Sequence, residues 1–163
     1  MIKGKLINLI KVNKTNFNIL YQFVTDKDVM GNFQKTYSCS FKELKKKILR
    51  NRKSNYFLIR DVKNKNIGFM YYVFENRFNA FEIGGAVVHK ERGKGYGFDS
   101  HKAIINFLFK NKKADRIQAI ISTENKIEFD LLENCGMKLE GILKSAGKLD
   151  KNHDLAIFAI LNK

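Results

Sequence analysis

The sequence predicts an α/β or α+β protein in which an antiparallel hairpin half precedes a half that alternates strands and helices. Two observations support this prediction. Short apolar or alternating runs separated by a polar turn occupy residues 55–74, which is typical of paired strands. From residue 82 the order becomes strand, glycine-rich turn, helix, strand and helix, which is typical of units that cover a sheet. We therefore expect a sheet that is covered by helices.

The first part of the chain predicts one strand and two helices. Residues Lys5–Lys11 alternate between polar and apolar side chains, as a strand does. Thr15 is predicted to cap a helix whose apolar positions are Phe17, Leu20 and Phe23. Ser40 and Glu43 have the spacing of a capping box at the start of a second helix. That helix has one apolar face, formed by Phe41, Leu44 and Ile48.

A hairpin and a further strand follow these helices. The hairpin pairs Asn55–Arg60 with Ile67–Phe74 across the turn K-N-K-N, and Ala80–Val88 is the next strand. A helix after the glycine-rich turn has apolar residues at helical spacing: Ile104, Ile105, Leu108 and Phe109.

The last part of the chain predicts three strands and one helix. Arg116–Ile121 has the composition of a strand, and Asn125–Asn134 that of a helix that ends at Gly136. Leu139–Leu143 and Leu155–Leu161 are the closing strands. The total is a seven-stranded sheet with about four helices. Because the chain has 163 residues, is 44% hydrophobic and shows no linker, we expect one domain over residues 1–163.

The composition limits the partners and the compartment. The net charge of +15 would suit a nucleic-acid binder, but the basic residues spread along the whole chain and no base-stacking aromatic motif accompanies them. We therefore expect no dedicated nucleic-acid binding, while a ribosomal partner stays open. With no leader and no apolar membrane span we expect a cytoplasmic protein. Cys39 and Cys135 show no metal spacing, so we expect free thiols and no metal site.

The most informative segment is the glycine-rich turn E-R-G-K-G-Y-G at residues 91–97. Gly93, Gly95 and Gly97 allow positive φ and place no Cβ in the way of a ligand. The N–H groups of such a turn and of the first turn of the following helix converge on one spot, which suits phosphate. Arg92 and Lys94 add positive charge. The sequence therefore predicts an anion-binding cradle.

Two common glycine-rich motifs do not fit this turn. A phosphate-binding loop of the Walker type needs Lys followed by Ser or Thr after its last glycine, and Lys94 lies between the glycines instead. A dinucleotide-binding turn follows the first strand of its fold, whereas this turn follows about the fourth.

A third family fits. The stretch R-G-K-G-Y-G (Arg92–Gly97) resembles the R-x-x-G-x-G/A signature of the GCN5-related N-acetyltransferases (GNAT). A second block, N-K-I-E-F-D-L-L-E-N-C-G-M (Asn125–Met137), is similar to the family pattern N-x-x-S-x-x-L-Y-E-K-x-G-F. The opening G-K-L-I-N-L and the residues E-I-G at 82–84 resemble the branch that acetylates ribosomal-protein amino termini (RimJ/RimL-like) and its small-molecule relatives.

The resemblance implies the GNAT fold, a mixed, mostly antiparallel seven-stranded central sheet flanked by about four helices. It also implies acetyl-CoA as co-substrate and no metal. It implies that the backbone of the turn holds the pyrophosphate of CoA, through Arg92, Gly93, Lys94, Gly95, Tyr96 and Gly97. It implies that Val87 and Val88 end a strand whose main-chain groups pair with the pantetheine amides. Asn125 is then a pantetheine contact, with the N-cap of a helix as the equally weighted alternative.

Acetyl transfer to an amine needs a base for the amine and an acid for the leaving thiolate. Glu82, on the strand that enters the turn, is the predicted base, acting through a water; the alternative is a surface carboxylate paired with lysine. Many relatives have tyrosine as the acid, but Leu132 occupies that position here. Either another donor serves, with Ser122, Cys135 and His89 as the candidates, of which we select Ser122, or the CoA thiolate leaves with the help of water, or catalysis is poor.

The acceptor is predicted only as a class. We expect the primary amine of a small molecule (an amino sugar, a nucleotide-linked amino sugar or an amino acid) or a protein N-terminus. The basic charge disfavours polyamines, although Asp26, Asp28 and Glu82 could supply a local acidic cluster. The alternative, based on Leu132 and the net charge, is a protein that binds acetyl-CoA or RNA without catalysis. A homodimer is compatible with the sequence, which does not decide it.

Overall fold

The computed structural model describes residues 1–51, 53–149 and 151–162. The strands are β1 (Ile2–Lys3), β2 (Ile7–Lys11), β3 (Ser54–Asp61), β4 (Asn66–Glu75), β5 (Ala80–Val87), β6 (Arg116–Ser122), β7 (Lys138–Lys148) and β8 (Asn152–Leu161). The helices are α1 (Phe17–Thr25), α2 (Lys27–Met30), α3 (Phe41–Arg50), α4 (Tyr96–Lys112) and α5 (Lys126–Asn134), and a 3₁₀ turn covers His89–Glu91.

The strands form one sheet in the order β1-β2-β3-β4-β5-β6-β8-β7. Neighbouring strands are antiparallel except for β5 and β6, which run parallel because α4 crosses over between them. The predicted fold class is confirmed, with eight strands instead of seven. The additional strand, β1, is only two residues long, which is too short for an alternating pattern to reveal.

Alternating strand residues divide the core between the two faces of the sheet. On one face, buried residues of the strands, Ile59 among them, form one cluster with residues of α4 and α5, which include Ile104 and Leu132. On the other face, Leu58 and its neighbours pack with α1 and α3. The helices therefore cover both faces, and the parallel pair β5–β6 lies in the middle of the sheet.

The predicted ends of the helices are confirmed in two cases and wrong in one. Ser40 Oγ accepts from Glu43 N–H at 3.3 Å and Glu43 Oε2 accepts from Ser40 N–H at 3.0 Å, so the capping box is present. Gly136 follows α5 with φ +87° and donates to Glu133 O at 2.8 Å. Thr15 does not cap α1: its Oγ1 donates to Asn13 Oδ1 at 2.6 Å instead, because an asparagine turn precedes the helix.

The beginning of the chain is attached to α4 through Asp99. Its carboxylate accepts the backbone N–H groups of Lys5 at 3.0 Å, Leu6 at 2.7 Å and Ile7 at 3.1 Å. The Asp99 side chain and Ile7 are buried, so the Ile7 N–H could not bond to water instead, whereas Lys5 and Leu6 lie at the surface. Asp99 thereby fixes the β1–β2 turn against the first turn of α4, which carries the glycine-rich turn.

The helices of the described residues are too short or too polar to span a bilayer. In the same part of the chain, no three His, Cys, Asp or Glu side chains are arranged to hold a metal ion.

Candidate functional site

The site forms where β5 and β6 separate. The two strands are paired only at Phe81 with Ile117 and at Glu82 with Gln118. Beyond these pairs, β5 continues to Val87 and β6 to Ser122 without pairing to each other. A wedge-shaped opening therefore begins after Glu82 and widens towards the glycine-rich turn.

The glycine-rich turn lies at the wide end of this opening. Gly93 and Gly95 have φ of +75° and +81°, and Gly95 is the N-cap of α4. The first α-helical hydrogen bond runs from Asp99 N–H to Gly95 O at 3.0 Å. The N–H groups of residues 96–98 precede that bond and have no partner within the helix. The turn thus presents donors and the positive end of a 17-residue helix at one place.

Gly97 has a different role from the other two glycines. It lies in α4 without positive φ, and a Cβ built on it would be 3.1 Å from Leu131 Cδ1 of α5. The expectation that all three glycines serve a left-handed turn is therefore wrong for Gly97. Its missing side chain allows α4 and α5 to approach closely.

The basic side chains of the turn are less free than the sequence suggests. Arg92 Nε donates to Val87 O at 2.9 Å, and its Nη2 donates to Val29 O at 2.9 Å, so the guanidinium joins the turn to α2. Lys94 Nζ lies 2.7 Å from Glu91 Oε2. Hydrogen bonds from Lys65 and Lys94 lower the pKa of Glu91 to about 2, so this carboxylate stays charged and offsets Lys94. The backbone is consequently the main source of free donors.

Main-chain groups of β5 line the opening. Val88 N–H donates to Ile67 O at 2.9 Å, on the β4 side. The main-chain N–H and C=O groups of successive strand residues point to opposite edges of the strand. Since the N–H of Val88 points towards β4, the main-chain groups of Gly85 and Val87 point towards β6. Gln34 Nε2 donates to Gly85 O at 3.1 Å and Arg92 to Val87 O, while the N–H groups of these two residues face the opening.

A cavity of about 540 Å³ occupies the narrow part of the opening. Gly84 and Gly85 of β5 line it on one side, and Ile120 and Ser122 of β6 on the other. The segment 33–39 and a group of tyrosines close it on the α1 and α3 face. The cavity therefore connects the two faces of the sheet between the separated strands.

Glu82 lies at the apex of the opening, where β5 and β6 last pair; it is not itself among the residues that line the cavity, but it directly precedes Ile83 and Gly84, which are. Its Oε2 accepts from Gln118 Nε2 at 3.3 Å. Burial raises the pKa of Glu82, the Gln118 hydrogen bond opposes this effect, and the negative charge of Glu75 adds to it. A carboxylate with a raised pKa accepts a proton more readily than an exposed one.

Asn125 and Ser122 both line the cavity, and both have protein partners. Asn125 is the N-cap of α5, with Oδ1 accepting from Glu128 N–H at 3.4 Å, so the capping interpretation is confirmed. Its contact with a cofactor stays a prediction. Ser122 Oγ accepts from Glu124 N–H at 3.3 Å, and its own proton remains available for donation.

The other candidates for the acid do not line the cavity. Leu132 is fully buried in the core between the sheet and the helices. Cys135 is also buried, which raises the pKa of its thiol to about 11, as expected of a core cysteine. His89 lies exposed in the 3₁₀ turn before the glycine-rich segment.

Sequence reasoning missed a pair beside the cavity, formed by the buried His101 and the partly exposed Glu128. His101 Nε2 lies 3.3 Å from Glu128 Oε1, and Glu128 lines the cavity. The available signals were a histidine on the apolar face of α4 and a glutamate where the family pattern N-x-x-S has serine. Neither signal could show that the two side chains meet.

Sequence reasoning also missed a tyrosine wall, which consists of Tyr37, Tyr56 and Tyr71. All three line the cavity, and the hydroxyls of Tyr37 and Tyr56 lie 3.4 Å apart. A Cβ on Gly84 would lie 2.7 Å from the Tyr71 hydroxyl, so this glycine makes room for the tyrosine. Burial, followed by the charge of Glu82, raises the pKa of Tyr71. The pairing of Tyr56 with Tyr71 across the hairpin could have indicated part of this wall.

A family model described as an acetyltransferase (GNAT) domain matches residues 7–138. No curated protein matches the chain. The spermidine N-acetyltransferase of Vibrio cholerae, solved in complex with CoA and spermine, superposes with a TM-score of 0.85 at 18% identity, covering 97% of this chain and 96% of that one.

Two further solved structures share the fold. The ribosomal L7/L12 alpha-N-protein acetyltransferase RimL, in complex with coenzyme A, has a TM-score of 0.84 at 20% identity and covers 97% of this chain and 95% of its own. An acetyltransferase of the GNAT family from Bacillus anthracis has a TM-score of 0.81 at 23% identity, with 98% and 97% covered.

Proposed function

Because this chain belongs to the GNAT acetyltransferase family, we propose that it transfers the acetyl group of acetyl-CoA directly to a primary amine. Residues 1–163 form one catalytic domain in this proposal. The observation that carries it is the opening between β5 and β6, with N–H donors at its wide end and a cavity and a carboxylate at its narrow end. A thioester and an amine can meet there from opposite faces of the sheet.

The residues of the opening fit CoA. The pyrophosphate would accept from the N–H groups of residues 93–97, where the glycine backbone leaves room for it. Arg92 holds the turn in place by donating to carbonyl oxygens. The N–H groups of Gly85 and Val87 would pair with the pantetheine arm, while the N–H of Val88 holds the strand to β4. Asn125 lies where it could contact the same arm. The thioester supplies an acyl group with a good leaving group.

Glu82 acts as the general base in this proposal. Through a water, it takes the proton of the attacking ammonium, so that a neutral amine attacks the thioester carbon. Because its pKa is raised, it is protonated and inactive at acidic pH, and the rate increases as the pH rises through that pKa. The tyrosine wall, which shares its face, orients the acceptor.

Replacing Glu82 by glutamine is expected to lower kcat about a hundredfold, the lower range for a lost general base. The KM for acetyl-CoA should stay near the wild-type value, and the acidic limb of the pH–rate profile should disappear. The measurement is CoA release monitored with a thiol reagent. Glu133→Gln, an exposed carboxylate near the end of α5, is the matched control and should keep its rate. An unchanged kcat in Glu82→Gln would assign the carboxylate a purely structural role.

The acceptor that the cavity suits is a small amine or the free N-terminus of a peptide. Its lining contains the three tyrosine hydroxyls and the side chain of Gln34, together with the basic side chain of Lys35. The high net charge is thus not concentrated in the lining, so the cavity itself does not favour a phosphorylated acceptor over a neutral one. Amino sugars, nucleotide-linked amino sugars, amino acids and protein N-termini remain the proposed classes. Because one structural relative is named for spermidine and another for a ribosomal protein, spermidine and a ribosomal-protein N-terminus should be among the amines tested.

Thiol release over a panel of these amines tests the function. The enzyme predicts CoA release that depends on the added amine and a product heavier by one acetyl group in mass spectrometry. The rival function, binding of acetyl-CoA or RNA without catalysis, predicts acetyl-CoA affinity with no turnover, or RNA affinity that falls steeply with salt. The absence of turnover with every amine of the panel would favour the rival.

A further inference from the structure

His101 is held so that both of its ring nitrogens face acceptors. Nδ1 lies 2.9 Å from Gly97 O, one helical turn earlier, and must carry a hydrogen to donate there. Nε2 lies 3.3 Å from Glu128 Oε1. A neutral imidazole has one N–H and can therefore donate to only one of these two acceptors. One further proton, on the ring or on the carboxylate, is needed to satisfy both contacts. The arrangement therefore stores a proton between His101 and Glu128.

The surroundings favour the protonated form of His101. Burial alone lowers the pKa of His101, but the hydrogen bond and the charge of Glu128, together with the Gly97 carbonyl, outweigh it and raise the pKa above its ordinary value. Burial raises the pKa of the Cys135 thiol to about 11, with Lys102 opposing this effect and Glu128 adding to it, so the thiol stays protonated at neutral pH. Glu128 is the carboxylate that faces the imidazole from the neighbouring helix, α5.

The pair has access to the reaction site through Glu128. The imidazole of His101 is almost fully buried, whereas Glu128 is partly exposed and lines the cavity with Ser122 and Asn125. Glu128 also lies one turn before Leu132 on the same face of α5, and Leu132 is the position at which the family pattern has tyrosine. A proton that passes from His101 to Glu128 would thus arrive at the side of the cavity that lacks a tyrosine hydroxyl.

We propose that Glu128 is the general acid of this acetyltransferase and that His101 supplies it with the proton. This inference rests on the proposed function and deepens it. Glu128 is the catalytic residue of the pair, because it borders the space of the thioester, and His101 is a positioning residue that acts through it. Ser122, the acid expected from the sequence, then lines the same cavity but does not donate the proton to the thiolate.

The step balances without any further reactant. The amine nitrogen forms a bond to the acyl carbon, the carbon–sulfur bond breaks, and its electron pair remains on sulfur. Glu128 gives a proton to that thiolate and takes one from Nε2 of the His101 imidazolium. The products are the acetylated amine and CoA thiol, and the neutral imidazole regains a proton from solvent through Glu128. The ammonium loses two protons on its way to the amide: Glu82 takes the first before attack and passes it to solvent, and the second leaves the nitrogen by the same route once the bond to the acyl carbon has formed.

The test compares Glu128→Gln and His101→Gln with the wild-type enzyme in the thiol-release assay. A lost general acid is expected to reduce kcat by about a hundredfold. The KM for acetyl-CoA should remain within about threefold in both variants, because the loss of a general acid affects proton transfer rather than binding. His101→Gln keeps a donor towards Glu128 but no titratable proton. In the pH–rate profile of the wild-type enzyme, kcat should fall at alkaline pH as His101 and Glu128 lose their shared proton. Both variants should lack this alkaline decrease.

Asp130→Asn, an exposed carboxylate on the same helix, is the matched control and should behave as wild type. Thermal unfolding establishes that each variant is folded. Variants that keep the wild-type kcat and alkaline limb would overturn the inference while leaving the proposed function intact. A raised KM for acetyl-CoA with unchanged kcat would also overturn it, since the pair would then act in binding. A wild-type protein without turnover on every amine would instead remove the proposed function, and the inference with it.

Discussion

Replacing Gly95 by valine is expected to weaken acetyl-CoA binding about a hundredfold, which corresponds to about 3 kcal/mol. Gly95 has φ +81°, a region that costs an L-residue about 1–2 kcal/mol and a β-branched residue more. The space around it is not the obstacle, because a Cβ would lie 3.4 Å from Leu6 Cδ1, an ordinary contact. The loop must therefore change its backbone, and the N–H groups at the start of α4 no longer converge on the pyrophosphate.

Isothermal titration calorimetry with acetyl-CoA measures this effect. Gly141→Val is the matched control: Gly141 lies in β7 without positive φ, and a Cβ on it would meet nothing within 4 Å. It should bind acetyl-CoA as the wild type does. Equal affinities for Gly95→Val and the wild type would show that the glycine-rich turn is not the pyrophosphate site.

Replacing Asp99 by alanine is expected to lower the free energy of unfolding by about 3 kcal/mol, since buried donors left without an acceptor cost about 1–3 kcal/mol each. Three backbone N–H groups, those of residues 5–7, lose their acceptor at once, and the least accessible is that of Ile7, which is 1% exposed. For a domain of this size the melting temperature should fall by about 6–12 °C.

Chemical denaturation with urea measures the change. Asp115→Ala, an exposed carboxylate just after α4, is the control and should stay within about 0.5 kcal/mol of wild type. Because Asp99 lies in the first turn of α4, the Asp99→Ala variant should also bind acetyl-CoA less tightly. A variant as stable as the wild type would mean that the β1–β2 turn finds other acceptors.

Much of the fold could be predicted from the sequence because local signals were strong. The capping box at Ser40, the hairpin of β3 and β4 and the stop at Gly136 each depend on residues a few positions apart. The glycine-rich turn was recognisable because positions with positive φ, such as Gly93 and Gly95, favour glycine, and a cluster of glycines is visible in the sequence. By contrast, Thr15 was chosen as a cap although Asn13 competes for its hydroxyl.

The rest of the site depends on contacts between distant parts of the chain. Asp99 meets residues about 90 positions earlier, and His101 meets Glu128 on a different helix. Gly97 is required by a side chain of α5, not by its own backbone conformation. Spacing within one segment carries no information on such partners, so they become visible only when the helices are packed on the sheet.

Thermal unfolding with and without acetyl-CoA tests the central claim most directly, since a ligand that binds only the folded state must stabilise it. At a concentration about a hundred times the Kd, the stabilisation is about 2.7 kcal/mol, which raises the melting temperature by about 5–10 °C for a domain of this size. The opening between β5 and β6 predicts that rise, and a much smaller one in Gly95→Val. An unchanged melting temperature at millimolar acetyl-CoA would contradict a cofactor site at the glycine-rich turn.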